Sequence, residues 1–189
     1  MERQKNELIW LEHPRQGAVE KDRIVIEAER YTAQGERICC GSRNDNAPVL
    51  LQITEEKNFS FGVKMEFDIG ARFDQCGLVV HLDDDNCFRV MAECMHENSR
   101  KLVGLLTANG VSGSVSVPIL PAQNSVYYRV TRAGQAFEIA YSTDGAVYET
   151  MFETLLQQKE SAVRIGAYVC SPAEHYFQAS FSEMEFIVH

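Results

Sequence analysis

Four polar side chains of different chemical types fall on one face of a predicted β-hairpin. They are the amide of Gln75, the imidazole of His81, the guanidinium of Arg89 and the carboxylate of Glu93. The stretches 77–82 and 87–94 both alternate, and alternate residues of a strand point to the same face of a sheet. Donors and acceptors of several kinds beside the small Gly77 are typical of a surface that binds a polyol. A solvated sheet face without a ligand is the alternative interpretation.

The opposite face of the same hairpin is apolar throughout, and this sets the orientation of the hairpin. Its members are Cys76, Leu78, Val80, Leu82, Phe88, Val90, Ala92 and Cys94. Because side chains alternate with a period of two, this set must face the core and the polar set must point outward. A three-residue turn at residues 84–86 would place His81 opposite Arg89. The same turn would place Gly77 opposite Glu93.

The acidic turn DDDN at residues 83–86 raises the question of a calcium site. A calcium loop of the EF-hand type needs alternating ligands and a central Gly, whereas the Asp residues here are consecutive and their side chains splay apart. Asp and Asn also favour tight turns because they bond their own backbone. We therefore predict a turn without a metal. The cysteines at 39, 40, 76, 87, 94 and 170 contain no CxxC pair, so no zinc site is indicated.

A catalytic alternative rests on carboxylates. The stretch from Glu66 to Ala71 resembles the ExDxxE run of sandwich-type endoglucanases, but Ala71 stands where the third carboxylate would be. Glu93 with Glu66 or Asp68 could still act as acid and base, provided that the two carboxylates lie roughly 5–9.5 Å apart. The sequence contains no GxSxG, HExxH or glycine-rich phosphate motif, and we predict no cofactor.

The elements that must position these residues are strands, because period-2 alternation recurs along the chain and helical periodicity is nearly absent. The predicted strands include 61–69, 126–131, 137–141, 163–169 and 178–188. The Asp144-Gly145 pair marks a hairpin turn. Residues 148–160 are the one helical candidate, and the Gly/Ser-rich residues 109–121 are predicted to form a mobile loop containing a short strand. The expected fold is all-β: a single two-sheet sandwich domain over residues 1–189.

Composition limits the classes of partner. The formal net charge of −9 and the absence of a basic stripe argue against nucleic acid and against a membrane surface. The start of the sequence has no apolar segment of the secretory kind. We therefore expect a cytoplasmic protein with reduced thiols, most of them buried as small apolar side chains.

Several segments, taken in their order and spacing, resemble the DUF1349 family. They are DQCGLVV from Asp74, DNCFR and Glu93 after it, YRVTR at 128–132, FEIAYSTDG at 137–145, VRIGAYVCSP at 163–172, and the closing residues 177–181. The resemblance implies a concanavalin A-like jelly roll of two curved antiparallel sheets, one of them concave. The family includes stand-alone bacterial proteins, a fungal regulator linked to enolase, and domains similar to those appended to β-xylosidases.

The resemblance also implies where some residues lie. It assigns Gln75, Arg89 and Glu93 to the hairpin of the concave face, and Tyr168 and Ser171 to a GxYxCSP-like strand. This chain departs from the family at two places. Phe-Arg stands at 88–89 instead of Trp-Lys, and the segment 36–40 replaces a Thr-Asp-aromatic element.

These observations favour binding of a saccharide or another small polar ligand in the concave sheet. An aromatic residue such as Trp10 or Tyr168 would stack on a sugar ring. Alternation supports Tyr168, because it places this residue on the outer face with Arg164 and Gly166. The ligand-binding residues predicted are Gln75, His81, Arg89, Glu93 and Tyr168. Two alternatives stay open: a glycoside-processing enzyme that uses Glu93 with a second carboxylate, and a regulatory protein that binds a metabolic enzyme, with a protein partner or a homodimer.

Overall fold

The structure, a computed structural model, describes residues 8–33, 36–37, 43–44, 46–68, 70–83, 85–96, 99–157 and 162–189. Within these ranges all regular structure is β, which confirms the predicted fold class. The described residues include no helix of the length and apolarity needed to cross a membrane.

Two antiparallel sheets of seven strands each form the sandwich. The first sheet contains, in spatial order and with labels that follow the chain, Leu8–Glu12 (β1), Val49–Thr54 (β6), Val163–Cys170 (β15), Gln75–Asp83 (β8), Asn86–His96 (β9), Ser99–Ala108 (β10) and Val111–Ile119 (β11). The second contains Glu149–Leu155 (β14), Ala136–Ser142 (β13), Ser125–Ala133 (β12), Asn58–Phe67 (β7), Phe177–Val188 (β16), Arg23–Ala28 (β3) and Gln16–Val19 (β2). Glu36–Arg37 (β4) and Arg43–Asn44 (β5) make a separate short pair.

The main core lies between the sheets and follows from the alternation. The apolar face predicted for the hairpin is buried at every position, from Cys76 to Cys94. The second sheet contributes Phe59, Phe61, Val63, Met65 and Phe67 from β7, each less than a tenth exposed. Ile69, the last residue of the strand predicted over 61–69, lies outside the described residues.

Two segment predictions were wrong. Residues 149–155, expected to be helical, form β14, an edge strand paired with β13. A short apolar run fits a helix and a strand equally, and the hydrogen-bonding edge of β13 decides the outcome. Residues 111–119, expected to be mostly loop, form β11 and pair with β10 along their whole length. The preceding Asn109 and Gly110 have φ of 50° and 76°, so they supply the tight hairpin turn that an Asn-Gly pair favours.

The register of the β8–β9 hairpin also differs from the prediction. Asp83 pairs with Asn86, so the turn contains two residues instead of three. The register then shifts between His81 and Asp83, so that His81 lies opposite Cys87 and Gln75 lies opposite Glu93. The Oδ1 atom of Asp83 accepts bonds from the backbone N–H of Asp85 and from the Asn86 amide, both at 2.9 Å. This is the self-bonded turn chemistry expected of Asp and Asn.

A second apolar cluster covers the middle of the outer face of the first sheet. Its members are Ala47, Val49, Leu51, Val79, Met91, Val103, Tyr168 and Cys170, with Leu105 at its margin. Tyr168 pairs with Gly77, which pairs in turn with Met91. The Tyr168 hydroxyl donates a 3.1 Å bond to the Met91 sulfur, so the tyrosine side chain spans the position of Gly77. The close approach of Gly77 to the backbone of β9 leaves no room for a side chain at position 77.

We expect Gly77→Ala to destabilise the fold. A Cβ there would lie 1.9 Å from the Val90 carbonyl oxygen and 2.7 Å from the Met91 Cα, both backbone atoms of the neighbouring strand. Overpacking of this kind costs about 1–3 kcal/mol, measurable by urea denaturation. Gly113→Ala is the matched control, because a Cβ at 113 has no atom within 4 Å. Equal stability of the two variants would contradict the proposed packing.

Candidate ligand-binding site

Gln75, Glu93 and Lys101 form a row across three neighbouring strands on the outer face of the first sheet. Glu93 pairs in register with Gln75 of β8 on one side and with Lys101 of β10 on the other. The Gln75 amide donates to Glu93 Oε1 at 3.1 Å, and the Lys101 ammonium lies 3.2 Å from Glu93 Oε2. The Lys101 side chain is 28% exposed and that of Glu93 is 14% exposed. Solvent therefore reaches a row of preset donors and acceptors.

Sequence reasoning found two members of this row and missed Lys101. The pattern that could have found it is the continued alternation into β10, where Leu102 faces the core and positions 101 and 103 therefore face outward. The β9–β10 pairing is needed to bring Lys101 beside Glu93.

The other predicted residues do not join this row. His81 lies at the far end of β8, opposite Arg164 of β15, six positions along the strand from Gln75. At about 3.3 Å per residue this separation is about 20 Å. Arg89 lies between the two ends, with its guanidinium carbon 5.9 Å from the centre of the Tyr168 ring. The five predicted residues therefore share one face, as expected, but do not form a single pocket for a small ligand.

The two aromatic residues expected to stack on a sugar are unsuited to that role. Tyr168 is on the outer face, as alternation predicted, but it is fully buried within the second apolar cluster. Burial raises the pKa of its phenol. Trp10 pairs with Leu50, a residue of the main core, and packs against that core. The prediction failed because alternation gives the face of a side chain and not what covers that face.

The carboxylates of the catalytic alternative lie on opposite sides of the molecule. Glu66 is on β7 between the core residues Met65 and Phe67, so it points outward from the second sheet. Its partner there is Lys64, with Nζ 3.2 Å from the Glu66 carboxylate. Glu93 points outward from the first sheet, and face-to-face sheets lie about 10 Å apart before side chains are added. Glu93 and Glu66 therefore cannot form an acid–base pair across one glycosidic bond.

Asp68 does not complete such a pair either. Its side chain is fully exposed, and its nearest described cation is Arg100, at 3.9 Å. Arg100 pairs in register with the core-facing Cys94, on the side of the sheet opposite to Glu93 and Lys101. The sequence-based hypothesis of a Glu93 acid–base pair with Glu66 or Asp68 therefore has no geometric support.

At the end of the sheet next to the row, a buried carboxylate joins separate segments of the chain. Asp74 is fully buried; it accepts a 3.0 Å bond from the Ser171 hydroxyl and a 3.0 Å bond from the Ala71 backbone N–H. His175 Nε2 lies 2.9 Å from the other side of the same carboxylate. Burial raises the pKa of Asp74, while the Ala71, His175 and Ser171 contacts act in the opposite direction. We call Asp74, Ser171 and His175 the end junction.

A third segment is bonded to the same junction. The Thr32 backbone N–H donates to the Ser171 carbonyl at 2.9 Å, and the Thr32 hydroxyl accepts from the Ser171 N–H at 2.8 Å. Cys170 Sγ lies 3.0 Å from the Thr32 carbonyl oxygen. The residues of the DQ and CSP segments of the sequence, Asp74 and Ser171, thus meet in space and hold the end of the sandwich together.

A Ser, a His and an Asp in contact suggest a hydrolase, but the arrangement here is that of a structural junction. Ser171 is fully buried, so its hydroxyl is shielded from a substrate. The same hydroxyl touches the Asp74 carboxylate directly and lies 2.9 Å from the His175 carbonyl oxygen. A nucleophile would instead be exposed, with the carboxylate reaching it only through the imidazole.

Within the described ranges, no three His, Cys, Asp or Glu side chains are grouped so as to hold a metal ion. Cys76, Cys87, Cys94 and Cys170 form no disulfide with one another, and all but Cys87 are buried. Cys39 and Cys40 lie outside the described residues.

The sequence model of the family described as "Protein of unknown function (DUF1349)" matches residues 10–187. The chain belongs to that family, which confirms the resemblance seen in the sequence. A search of curated proteins found no match.

Solved structures share the fold at low sequence identity. A functionally unknown protein from Saccharomyces cerevisiae has a TM-score of 0.84 and 21% identity, with 96% of both chains covered. A xylan β-1,4-xylosidase from Bacillus halodurans has a TM-score of 0.69 and 11% identity, covering 97% of this chain and 39% of that one. An alginate lyase from Klebsiella pneumoniae has a TM-score of 0.61 and 9% identity, covering 88% and 81%. The similarity to sugar-processing enzymes therefore concerns the β-sandwich fold, and this chain spans well under half of the xylosidase.

We expect Asp74→Ala to destabilise the protein by about 2–4 kcal/mol, because Ser171, Ala71 and His175 would each lose a buried partner. The measurement is the free energy of unfolding from chemical denaturation. Asp68→Ala is the control: it removes the same side chain from a fully exposed position and should change the stability by less than about 0.5 kcal/mol. Similar small effects of both variants would show that the end junction does not stabilise the fold.

Proposed function

We propose that this protein is a non-catalytic saccharide-binding module, with Gln75, Glu93 and Lys101 as its polar contacts. The observation that carries the proposal is the cross-strand row itself. It places an amide, a carboxylate and an ammonium side by side on a rigid sheet, with the carboxylate fixed on both oxygens.

The hydrogen-bonding capacity of the row suits hydroxyl groups. An ammonium has three N–H donors, and the contact with Glu93 uses one of them. Each carboxylate oxygen can accept a further bond from a sugar hydroxyl while keeping its protein partner. Because the side chains are already held in place, binding costs little additional ordering of the protein.

The fold comparisons support a sugar ligand, and xylan-derived oligosaccharides are the first to test. One neighbour is a xylan β-1,4-xylosidase in which a domain like this chain makes up part of a longer protein. The separation of Glu93 from Glu66 and from Asp68 favours binding without hydrolysis.

We expect Lys101→Ala to weaken binding about ten-fold or more, because a hydrogen bond to a charged group contributes about 1.5–3 kcal/mol. The measurement is isothermal titration calorimetry with xylo-oligosaccharides, after a glycan array to select the ligand. Lys64→Ala is the matched control on the other sheet, with the same 3.2 Å contact to a glutamate and 23% exposure. Equal loss in both variants, or an array without any bound glycan, would contradict the proposal.

A further inference from the structure

The exposed aromatic residues of this protein are concentrated at one place. The chain has ten Phe, seven Tyr and one Trp, and all of them lie within the described ranges. Three are exposed: Tyr31 at 55%, Tyr176 at 43% and Phe73 at 38%. The other aromatic side chains are buried or half-buried.

All three rings border the end junction. Phe73 precedes Asp74 in the connection from β7 of the second sheet to β8 of the first. Tyr176 follows His175 in the connection from β15 back to β16. Tyr31 precedes Thr32 in the segment that leaves β3, and its N–H donates to the Ala173 carbonyl at 3.2 Å. Each of three segments that join at this end thus carries one exposed ring.

Two of the three rings are held in a backbone conformation that aromatic residues rarely adopt. Tyr31 has φ of 60° and Phe73 has φ of 69°, both in the left-handed region. The Phe73 N–H donates to the Cys94 carbonyl at 2.8 Å, which fixes the ring beside β9. Strained residues that the surrounding structure holds in place cluster at functional sites. Folding alone would favour Gly or Asn at both positions.

Charged groups accompany the rings. The Arg72 guanidinium lies 4.5 Å from the centre of the Phe73 ring, and the Arg15 guanidinium lies 4.0 Å from that of Tyr176. Partial burial raises the pKa of Tyr31, and the nearby Glu174 carboxylate acts in the same direction. The combination of apolar rings with flanking donors and acceptors matches a ligand that has both C–H faces and hydroxyl groups.

The three exposed rings adjoin the row formed by Gln75, Glu93 and Lys101. Phe73 is two residues from Gln75 on the same strand end, and Ser171 follows Cys170, which pairs with Gln75. From β8 to β10 the row covers two strand spacings of about 4.8 Å each, or about 10 Å, and the three rings extend beyond the β8 end. The combined surface is therefore larger than a single sugar ring.

We infer that Phe73, Tyr31 and Tyr176 are stacking positions for successive units of an oligosaccharide whose polar contacts include Lys101 and Glu93. This inference rests on the proposed function and adds the ligand class: a sugar chain of several units, bound around the end of the sandwich. Tyr168 and Trp10 were the residues predicted from the sequence to stack on a sugar. The three exposed rings take that role instead.

Calorimetry with a chain-length series of the array-selected oligosaccharide, from one to six units, tests the inference. Phe73→Ala, Tyr31→Ala and Tyr176→Ala should each weaken binding of the longest oligosaccharide about ten-fold and leave monosaccharide binding unchanged. Phe73→Gly and Tyr31→Gly distinguish the loss of a stacking contact with the ligand from a loss of protein stability. Glycine suits a positive φ, so their melting temperatures should be equal to or above that of the parent protein while binding is weakened.

Tyr148→Ala is the matched control, since Arg129 lies 4.2 Å from the centre of the Tyr148 ring in the connection before β14. It should bind the long oligosaccharide like the parent protein. If Lys101→Ala weakens binding and the three ring variants do not, the inference is overturned while the proposed function stands. If no glycan binds the parent protein, both are overturned.

Discussion

The carboxylate of Asp74 is the interaction on which this end of the molecule depends. A fully buried carboxylate is unfavourable unless its oxygens are hydrogen-bonded, and Asp74 meets that requirement with Ala71, Ser171 and His175. Because these partners belong to different connections, satisfying one buried charge ties those connections together. The Ser171 N–H also donates to the Thr32 hydroxyl, so the segment after β3 is held at the same place. The geometry of the exposed rings follows from this arrangement.

The outer face of the first sheet shows a second constraint, which limits where a ligand could bind. Tyr168 spans the position of Gly77 to reach Met91, and there it completes an apolar strip with Met91 and Val103. The strip is buried and separates the Gln75 end of the sheet from the His81 end. Polar side chains are thereby confined to the ends of the strands, and the end next to the junction has the cross-strand row of Gln75, Glu93 and Lys101.

The sequence predicts the strands and their faces well because both depend on local alternation. The apolar face of the hairpin and the outward position of Tyr168 were correct for this reason. The predicted register was wrong for two reasons: the turn after Asp83 contains two residues where three were expected, and the pairing shifts once more between His81 and Asp83. The exposure of Tyr168 was wrong because the cluster that buries it also includes Ala47, from the segment before β6. Contacts between distant segments have no local pattern in a single sequence.

The exposed rings illustrate the same limit in another way. Nothing in the local sequence of Tyr31 or Phe73 indicates a positive φ, since the residues that normally mark it are Gly and Asn. The backbone bonds that impose it come from Ala173 and Cys94, both far away in the chain. A ring held in this way cannot easily withdraw into the core, and it does not have to be ordered when a ligand arrives. The polar row has the same property, since Glu93 is held by both neighbours before any contact is made. Rigid contacts of this kind favour binding of a preset shape, and their occurrence at the same end of the sheet is why we place the proposed saccharide there and not over the buried Tyr168.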